Sequence, residues 1–206
     1  GLDTIGKLAR VDKKVLTDNL GKWGEVLWLF ANGLDTAPVR KTDERTAVKS
    51  IGNSTTCPRD LVNNEDVRLV FTVLAESVAA RLRDYGLKCT GIQISLRDNQ
   101  LYSATRQGLL TKPSYLSADI INKAMELFLA NYNWFHPLRS IGIRAINLVT
   151  EKDHIQLALF DDIDEKTREQ ESLSHTIDAI HSRFGHGSLM RASCLLDSRL
   201  TGFNPK

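Results

Sequence analysis

Thr90-Gly-Ile-Gln-Ile-Ser-Leu-Arg-Asp-Asn99 sets an apolar or β-branched residue at every second position, with small or polar residues between. Thr90, Ile92, Ile94 and Leu96 fall on one side of an extended chain, and Gly91, Gln93, Ser95 and Arg97 on the other. That period of two is the mark of a strand with one buried and one polar face. Asp98-Asn99 is a turn signal, so Leu101 to Leu110 reads as the return strand of a hairpin.

Working outward, Asn63 or Asn64 caps a long helix with Glu65 and Asp66 in its first turn. Its apolar stripe is Val67, Val70, Phe71, Leu74, Val78, Leu82 and Tyr85, and Gly86 closes it. Lys49 to Cys57 is β-branched and polar, which suits a strand. After the hairpin, Ser117 caps a second helix that turns Ile120, Ile121, Ala124, Leu127, Phe128 and Tyr132 inward, and Ile141 to Thr150 supplies a fourth strand. The order β-α-β-β-α-β predicts an α+β domain, a four-stranded sheet with two helices on one face, as in ferredoxin-like split βαβ folds. The other face is then open and carries Gln93, Ser95, Arg97, Arg106 or its neighbours, and Arg144. Amides, hydroxyls and guanidinium groups on a flat surface suit phosphate oxygens without reading bases. A merely solvated sheet face is the competing reading.

The flanks read differently. Residues 1–33 form short helices: Asp12 caps one carrying Val15, Leu16 and Leu20, Gly21 ends it, and a second runs from Lys22 to Asn32. So little chain buries little apolar area, so Trp23 and Trp28 call for a partner domain. Residues 34–47, with Pro38 and the charges Arg40, Lys41, Asp43, Glu44 and Arg45, read as a linker. In the tail, Asp164 to Phe184 is an amphipathic helix with Leu173, Ile177, Ile180 and Phe184 as its stripe, and beyond Gly185 the sequence looks loop-like. Asp161, Asp162, Asp164 and Glu165 are read as dipole partners at a helix start rather than a metal site. His175, His181 and His186 share no helix face and read as surface histidines.

Composition excludes little but points one way. The 42% hydrophobic and 25% charged content is that of an ordinary globular protein. No run is long enough to cross a membrane and no signal-peptide pattern appears. Cys57, Cys89 and Cys194 are far apart, without a Cys-x-x-Cys pair, so a reducing cytoplasm is the simplest home. The net charge of +2 is unevenly spread: residues 49–152 hold 13 basic and 9 acidic side chains, residues 153–206 hold 6 and 9. A basic middle is compatible with a polyanionic partner. The chain starts at Gly1 within patterned sequence, which reads as a piece of something longer.

Several short stretches carry a resemblance. Gly1-Leu-Asp-Thr-Ile-Gly-Lys-Leu-Ala9, Leu20-Gly-Lys-Trp-Gly24, Ala31-Asn-Gly-Leu-Asp35 with Pro38-Val39, Lys49-Ser-Ile-Gly52, Thr105-Arg-Gln107 and Arg139-Ser-Ile-Gly-Ile-Arg144 stand in this order. Together they resemble the thumb and little-finger region of Y-family translesion DNA polymerases, most of all the bacterial DNA polymerase IV and UmuC-like branch. Gln156-Leu-Ala-Leu-Phe160 looks like the hook by which such proteins hold the bacterial sliding clamp, with Gln156 bonding a pocket rim and Leu157, Leu159 and Phe160 filling grooves. A buried strand is the bland alternative for that pentapeptide, and the acidic run after it favours exposure.

The resemblance implies a partial thumb at 1–33, a DNA-binding little finger at 48–152, and a clamp-binding peptide and tail at 153–206. It implies phosphate contacts from Lys49, Ser50, Gly52, Ser54 and Thr55 on the first strand, Thr105 and Arg106 on the third, and Arg139, Ser140 and Arg144 on the fourth. Arg97 joins them from the open face, whereas Gln107 and Gly108 stand where many members have a serine and a basic residue. Implied partners are primer-template duplex, the sliding clamp, and palm and fingers domains of the same parent chain, with no membrane. The parent would be an error-prone nucleotidyltransferase using Mg2+ held by palm carboxylates. This piece carries none of those carboxylates, so no cofactor and no catalysis of its own are expected. The rival class is a protein-interaction module or accessory factor tethered to the clamp without polymerase activity.

Overall fold

Alternation of Ile92, Ile94 and Leu96 with polar residues fixes which way the second strand faces, and the other strands follow its pairing. The computed structural model describes residues 1–39, 41, 47–150 and 165–203. The Gln156–Phe160 hook, the acidic residues 161, 162 and 164, and most of the charged linker segment lie outside the described residues. Chain contacts divide the protein into two units, residues 1–46 and 47–206.

The first unit holds three short helices, α1 (Ile5–Arg10), α2 (Lys13–Leu20) and α3 (Lys22–Ala31). Asp12 caps α2 by accepting the Lys14 N–H at 2.8 Å. Gly21 joins α2 to α3 at φ 58, a left-handed conformation that glycine adopts without a Cβ penalty. A Cβ at Gly24 would lie 2.1 Å from the Leu16 carbonyl oxygen, so the two helices touch at backbone level there. Trp23 remains 71% exposed and Phe30 56%, whereas Trp28 is partly covered and donates its indole N–H to the Val11 carbonyl at 3.1 Å.

The second unit contains β1 (Ile51–Leu61), α4 (Asn64–Asp84), β2 (Leu87–Asp98), β3 (Ser103–Ser114), α5 (Ser117–Asn131) and β4 (Leu138–Thr150). The sheet order is β1-β4-β2-β3, antiparallel throughout. Thus β1 and β2 run parallel with β4 inserted between them, and β3 and β4 run parallel with β2 between. Both β-α-β units are therefore split, as the sequence pattern predicts.

Asn63 caps α4 through its Oδ1 to the Asp66 N–H at 2.8 Å. Val67, Val70, Phe71, Leu74, Val78 and Leu82 are fully buried, but Tyr85 is 62% exposed because α4 ends at Asp84 and the chain turns out through Gly86 at φ 62. Phe71 meets Phe128 of α5 edge-on at 6.5 Å, and Phe128 stacks on Tyr132 at 5.5 Å. Both helices lie against Ile92, Ile94, Leu96, Ile141, Ile143 and Ala145 of the central strands. Each isoleucine or leucine among them contributes roughly 1.5–3 kcal/mol by leaving water.

The tail departs from expectation. Helix α6 (Glu165–Phe184) matches the predicted span, and Ile177 and Ile180 of its stripe are partly covered, but its recorded bonds to the rest of the unit are polar. The Arg83 guanidinium grips Asp178, Lys88 meets Glu171 at 3.0 Å, and Tyr115 Oη lies 3.4 Å from His175 Nε2. Leu173 and Phe184 of the apolar stripe stay 59% and 64% exposed. Past Gly185 the chain is not loop alone: a 3-10 turn at His186–Ser188 packs back on α6, and a second at Ala192–Asp197 with α7 (Ser198–Thr201) packs on α4, α7 also touching β1. Leu200 is fully buried there, and Arg59 bridges Asp66 and Asp197 at 2.8 Å each. His181 and His186 approach to 5.2 Å between ring centres, while His175 sits apart on Tyr115.

Candidate nucleic-acid interface

Residues opposite one another in an antiparallel ladder point to the same side of the sheet. The register therefore sorts every strand residue into helix side or open side. Three rows of open-side residues cross the four strands. Gly52, Arg144, Gln93 and Gln107 make the first, Ser54, Gly142, Ser95 and Thr105 the second, and Thr56, Ser140, Arg97 and Ser103 the third. Successive rows lie about 6.7 Å apart along the strands, and neighbouring strands about 4.8 Å apart. Beyond the first row, Gly91 with Ile146 and Leu109 forms an apolar margin.

These rows contain six hydroxyls, two amides, two arginines and no carboxylate. Arg144 and Arg97 are both exposed and occupy the two outer rows. The middle row is kept low by glycine: a Cβ at Gly142 would lie 2.6 Å from Ser95 Oγ and 2.7 Å from Ser54 Cβ. Gly52 likewise gives room to the stem of Arg144, whose Cβ and Cγ would be 3.0 and 3.1 Å from an added Cβ. Arg97 Nε donates to Ser103 Oγ at 2.9 Å, so its guanidinium is pre-positioned with further N–H groups free of that bond. Gln93 donates weakly to Gln107 at 3.4 Å. The chemistry available is multiple donors on a flat surface with no repelling charge, which suits a row of phosphates.

Several residues expected on this surface are placed elsewhere. Arg106 pairs with Ile94 and so belongs to the helix side, where its Nε donates to Asn131 of α5 at 3.1 Å and its Nη1 to the Thr105 carbonyl at 2.8 Å. Thr55 pairs with Ile141 and also faces the helix layer; its neighbour Thr56 takes the open position. Arg139 is the extra residue of a bulge between Leu138 and Ser140, and its Nη1 lies 3.5 Å from Asp60 Oδ1. The expectation that Arg106, Arg139 and Arg144 share one face is therefore corrected at Arg106, which the register places on the helix side, while Arg139 adjoins Ser140 in the bulge and has no strand partner of its own. Gly108 pairs with Ile92 beneath Lys123 and Leu127, on the helix side. Lys49 and Ser50 precede β1 and have no strand register.

Gly52, Ser54, Arg97, Thr105, Ser140 and Arg144 are brought together as expected. Thr56 and Ser103 were missed, and Gln107, set aside for its residue type, belongs to the surface. Counting by twos from Gln93 across the Ser103–Arg97 pair would have found the third-strand residues. In β1, Ser54-Thr-Thr56 offers no apolar residue to fix parity, and a one-residue slip exchanges the two faces.

Residues 48–159 match the impB/mucB/samB family C-terminal domain. Over 96% of its length the chain is 45% identical to "DNA polymerase IV" of Acetivibrio thermocellus, covering 49% of that protein. It is 33% identical to "DNA polymerase IV 2" of Bacillus subtilis over 95% of this chain and 47% of that one. It is 31% identical to "DNA polymerase IV" of Clostridium acetobutylicum over 94% and 48%. The chain spans about half the length of the curated relatives it matches.

Proposed function

This chain belongs to the impB/mucB/samB family by the match of residues 48–159 to its C-terminal domain, and from that premise we propose that it is the DNA-gripping part of an error-prone lesion-bypass polymerase. The observation that carries the reading is the open sheet face, with Arg97 and Arg144 among six hydroxyls and no carboxylate. The face holds primer-template duplex through its phosphates. Arg97 and Arg144 supply charge, and Ser54, Thr56, Ser95, Ser103 and Thr105 supply neutral hydrogen bonds, while Ser140 spends its O–H on the Thr55 carbonyl at 2.9 Å. Such contacts ignore base identity, as an enzyme that moves along any template requires.

Nucleotidyl transfer in this family belongs to paired Mg2+ ions on palm carboxylates. Among the described residues no group of three or more His, Cys, Asp or Glu side chains could hold a metal ion. The palm and fingers of the same parent chain are the proposed partners for that step. Gln156, Leu157, Leu159 and Phe160 are proposed, on sequence, as the hook for the sliding clamp. No described helix is long and apolar enough to cross a membrane.

Fluorescence anisotropy with a primer-template duplex tests the reading. Binding in roughly the micromolar range, indifferent to sequence and weakened by salt, is expected. Absence of binding at low salt, or binding insensitive to salt, would remove it. A peptide of residues 153–163 is expected to compete for the sliding clamp, and its Leu159→Ala/Phe160→Ala form to fail. Equal competition by both would remove the hook.

A further inference from the structure

The first row of the open face ends at Gly52, on β1, an edge strand of the sheet. An added Cβ on Gly52 would lie 3.0 Å from Arg144 Cβ and 3.1 Å from the Ile143 carbonyl oxygen. That closeness marks Gly52 and Arg144 as a non-hydrogen-bonded pair, whose backbone groups point away from each other's strand. The Gly52 carbonyl therefore projects off the free edge of the sheet. Arg81 meets it there. From the last turn of α4 its guanidinium reaches that edge, and Nη2 donates to the Gly52 carbonyl at 2.7 Å. Across the row, Gln107, Gln93, Arg144 and Gly52 are thus followed by one more cation.

The protein does not neutralise this cation. Arg59, Arg83 and Arg191, which join the tail to the helix layer, each hold a carboxylate: Arg59 has Asp66 and Asp197, Arg83 has Asp178, and Arg191 has Glu76. Arg81 is half-buried, yet it is bonded to a neutral carbonyl. Its Nε–H is shielded from water without an acceptor, the one such buried side-chain group among the described residues. A partly covered guanidinium without a counter-ion is costly, because both water and anion are withheld from it. Arg106, near the opposite edge, differs: it is exposed and bonded to Asn131 on the helix side.

We propose that Arg81 is a further phosphate-binding residue, a cation that extends the Arg144 row past the edge of β1 and takes a phosphate of the same duplex. The inference rests on the reading of the open face as a phosphate-binding surface. The bond to Gly52 leaves N–H groups on both Nη1 and Nη2 unspent. Gly52 has no side chain to stand between them and the row. A phosphate there supplies the missing counter-ion and a charge-assisted bond. An arginine that only capped the edge strand could be replaced without loss by a neutral donor, so the test isolates the charge.

Arg81→Gln keeps a donor for the Gly52 carbonyl and removes the charge, whereas Arg81→Lys keeps the charge. Anisotropy of the full chain with primer-template duplex is followed over a range of salt concentrations. Arg81→Gln should lose about 0.9 from the slope of log affinity against log salt, so its deficit against wild type narrows about 3.5-fold between 50 and 200 mM, and Arg81→Lys should hold the wild-type slope. A second readout needs no variant: the Arg81 Nε–H resonance of the wild-type chain should shift as duplex is added. A wild-type slope in Arg81→Gln, or an unmoved Nε–H resonance in the duplex-bound chain, overturns the proposal and leaves the Arg97 and Arg144 face standing. A slope in Arg81→Lys as low as in Arg81→Gln overturns it too. If Arg81→Gln does not fold, the resonance decides. Failure of the wild type to bind duplex, or binding indifferent to salt, overturns both this proposal and the phosphate-binding face.

Discussion

Replacing Arg97 and Arg144 together by alanine should change how salt acts on duplex binding, by an amount the structure fixes. Each phosphate neutralised by a cationic side chain contributes about 0.9 to the slope of log affinity against log salt. The open rows hold two arginines, so the double variant should lose about 1.8 from the wild-type slope. Between 50 and 200 mM salt the affinity gap between wild type and variant should then narrow by about twelvefold. Arg106→Ala is the control, because its guanidinium is bonded to Asn131 on the helix side. Its slope should match wild type. Anisotropy titrations at four or five salt concentrations suffice. A slope change in Arg106→Ala as large as in Arg144→Ala, or no change in the double variant, would refute the assignment of the binding face.

The remaining expectations concern stability. Gly142→Ala should cost about 1–3 kcal/mol in urea unfolding, since its Cβ would lie 2.6 Å from Ser95 Oγ and 3.1 Å from the Asn53 carbonyl oxygen; an unchanged midpoint would contradict the close packing of the middle row. Leu200→Ala should cost about 2–4 kcal/mol, because Leu200 is fully buried; a neutral result would mean that the tail is not part of the second unit's core. The hydrogen bonds from Arg59 hold the Asp66 and Asp197 carboxyls below their ordinary range. Stability from this pairing is present above the unfolded carboxyl value, about 3.9, and is lost as the pH falls through the lower folded values. Wild type should therefore lose stability more steeply than Arg59→Met on acidification below about pH 4, and parallel curves would contradict the pairing.

Much of this was legible without coordinates because it depends on neighbours in sequence. Asn63, Asp12 and Gly21 act within one turn of the residues they cap or release, so the helix boundaries near them could be read directly. Ile92, Ile94 and Leu96 announce their own face. The same logic failed where a strand shows no apolar alternation, as at Ser54-Thr55-Thr56 and Ala104-Thr105-Arg106, and the arginine chosen for the surface was one residue out of phase. Arg139 lacks a strand register for a different reason. A bulge is created by how β4 fits both β1 and β2, and nothing local to Arg139 signals it.

The sequence by itself determined the β-α-β-β-α-β order, the two buried helix stripes and the polar character of one sheet face. Caps, turns and hydrophobic period are short-range properties, and each is written in a few adjacent residues. Only the tertiary structure decided that β4 runs between β1 and β2, which residues form the three rows, and that the tail returns through Arg83, Lys88 and Arg59 to cover the helix layer. Those outcomes depend on side chains up to 138 positions apart meeting in space, as Arg59 and Asp197 do. Strand register and ion pairing over such spans are chosen by the total packing of the core, which no window of sequence contains.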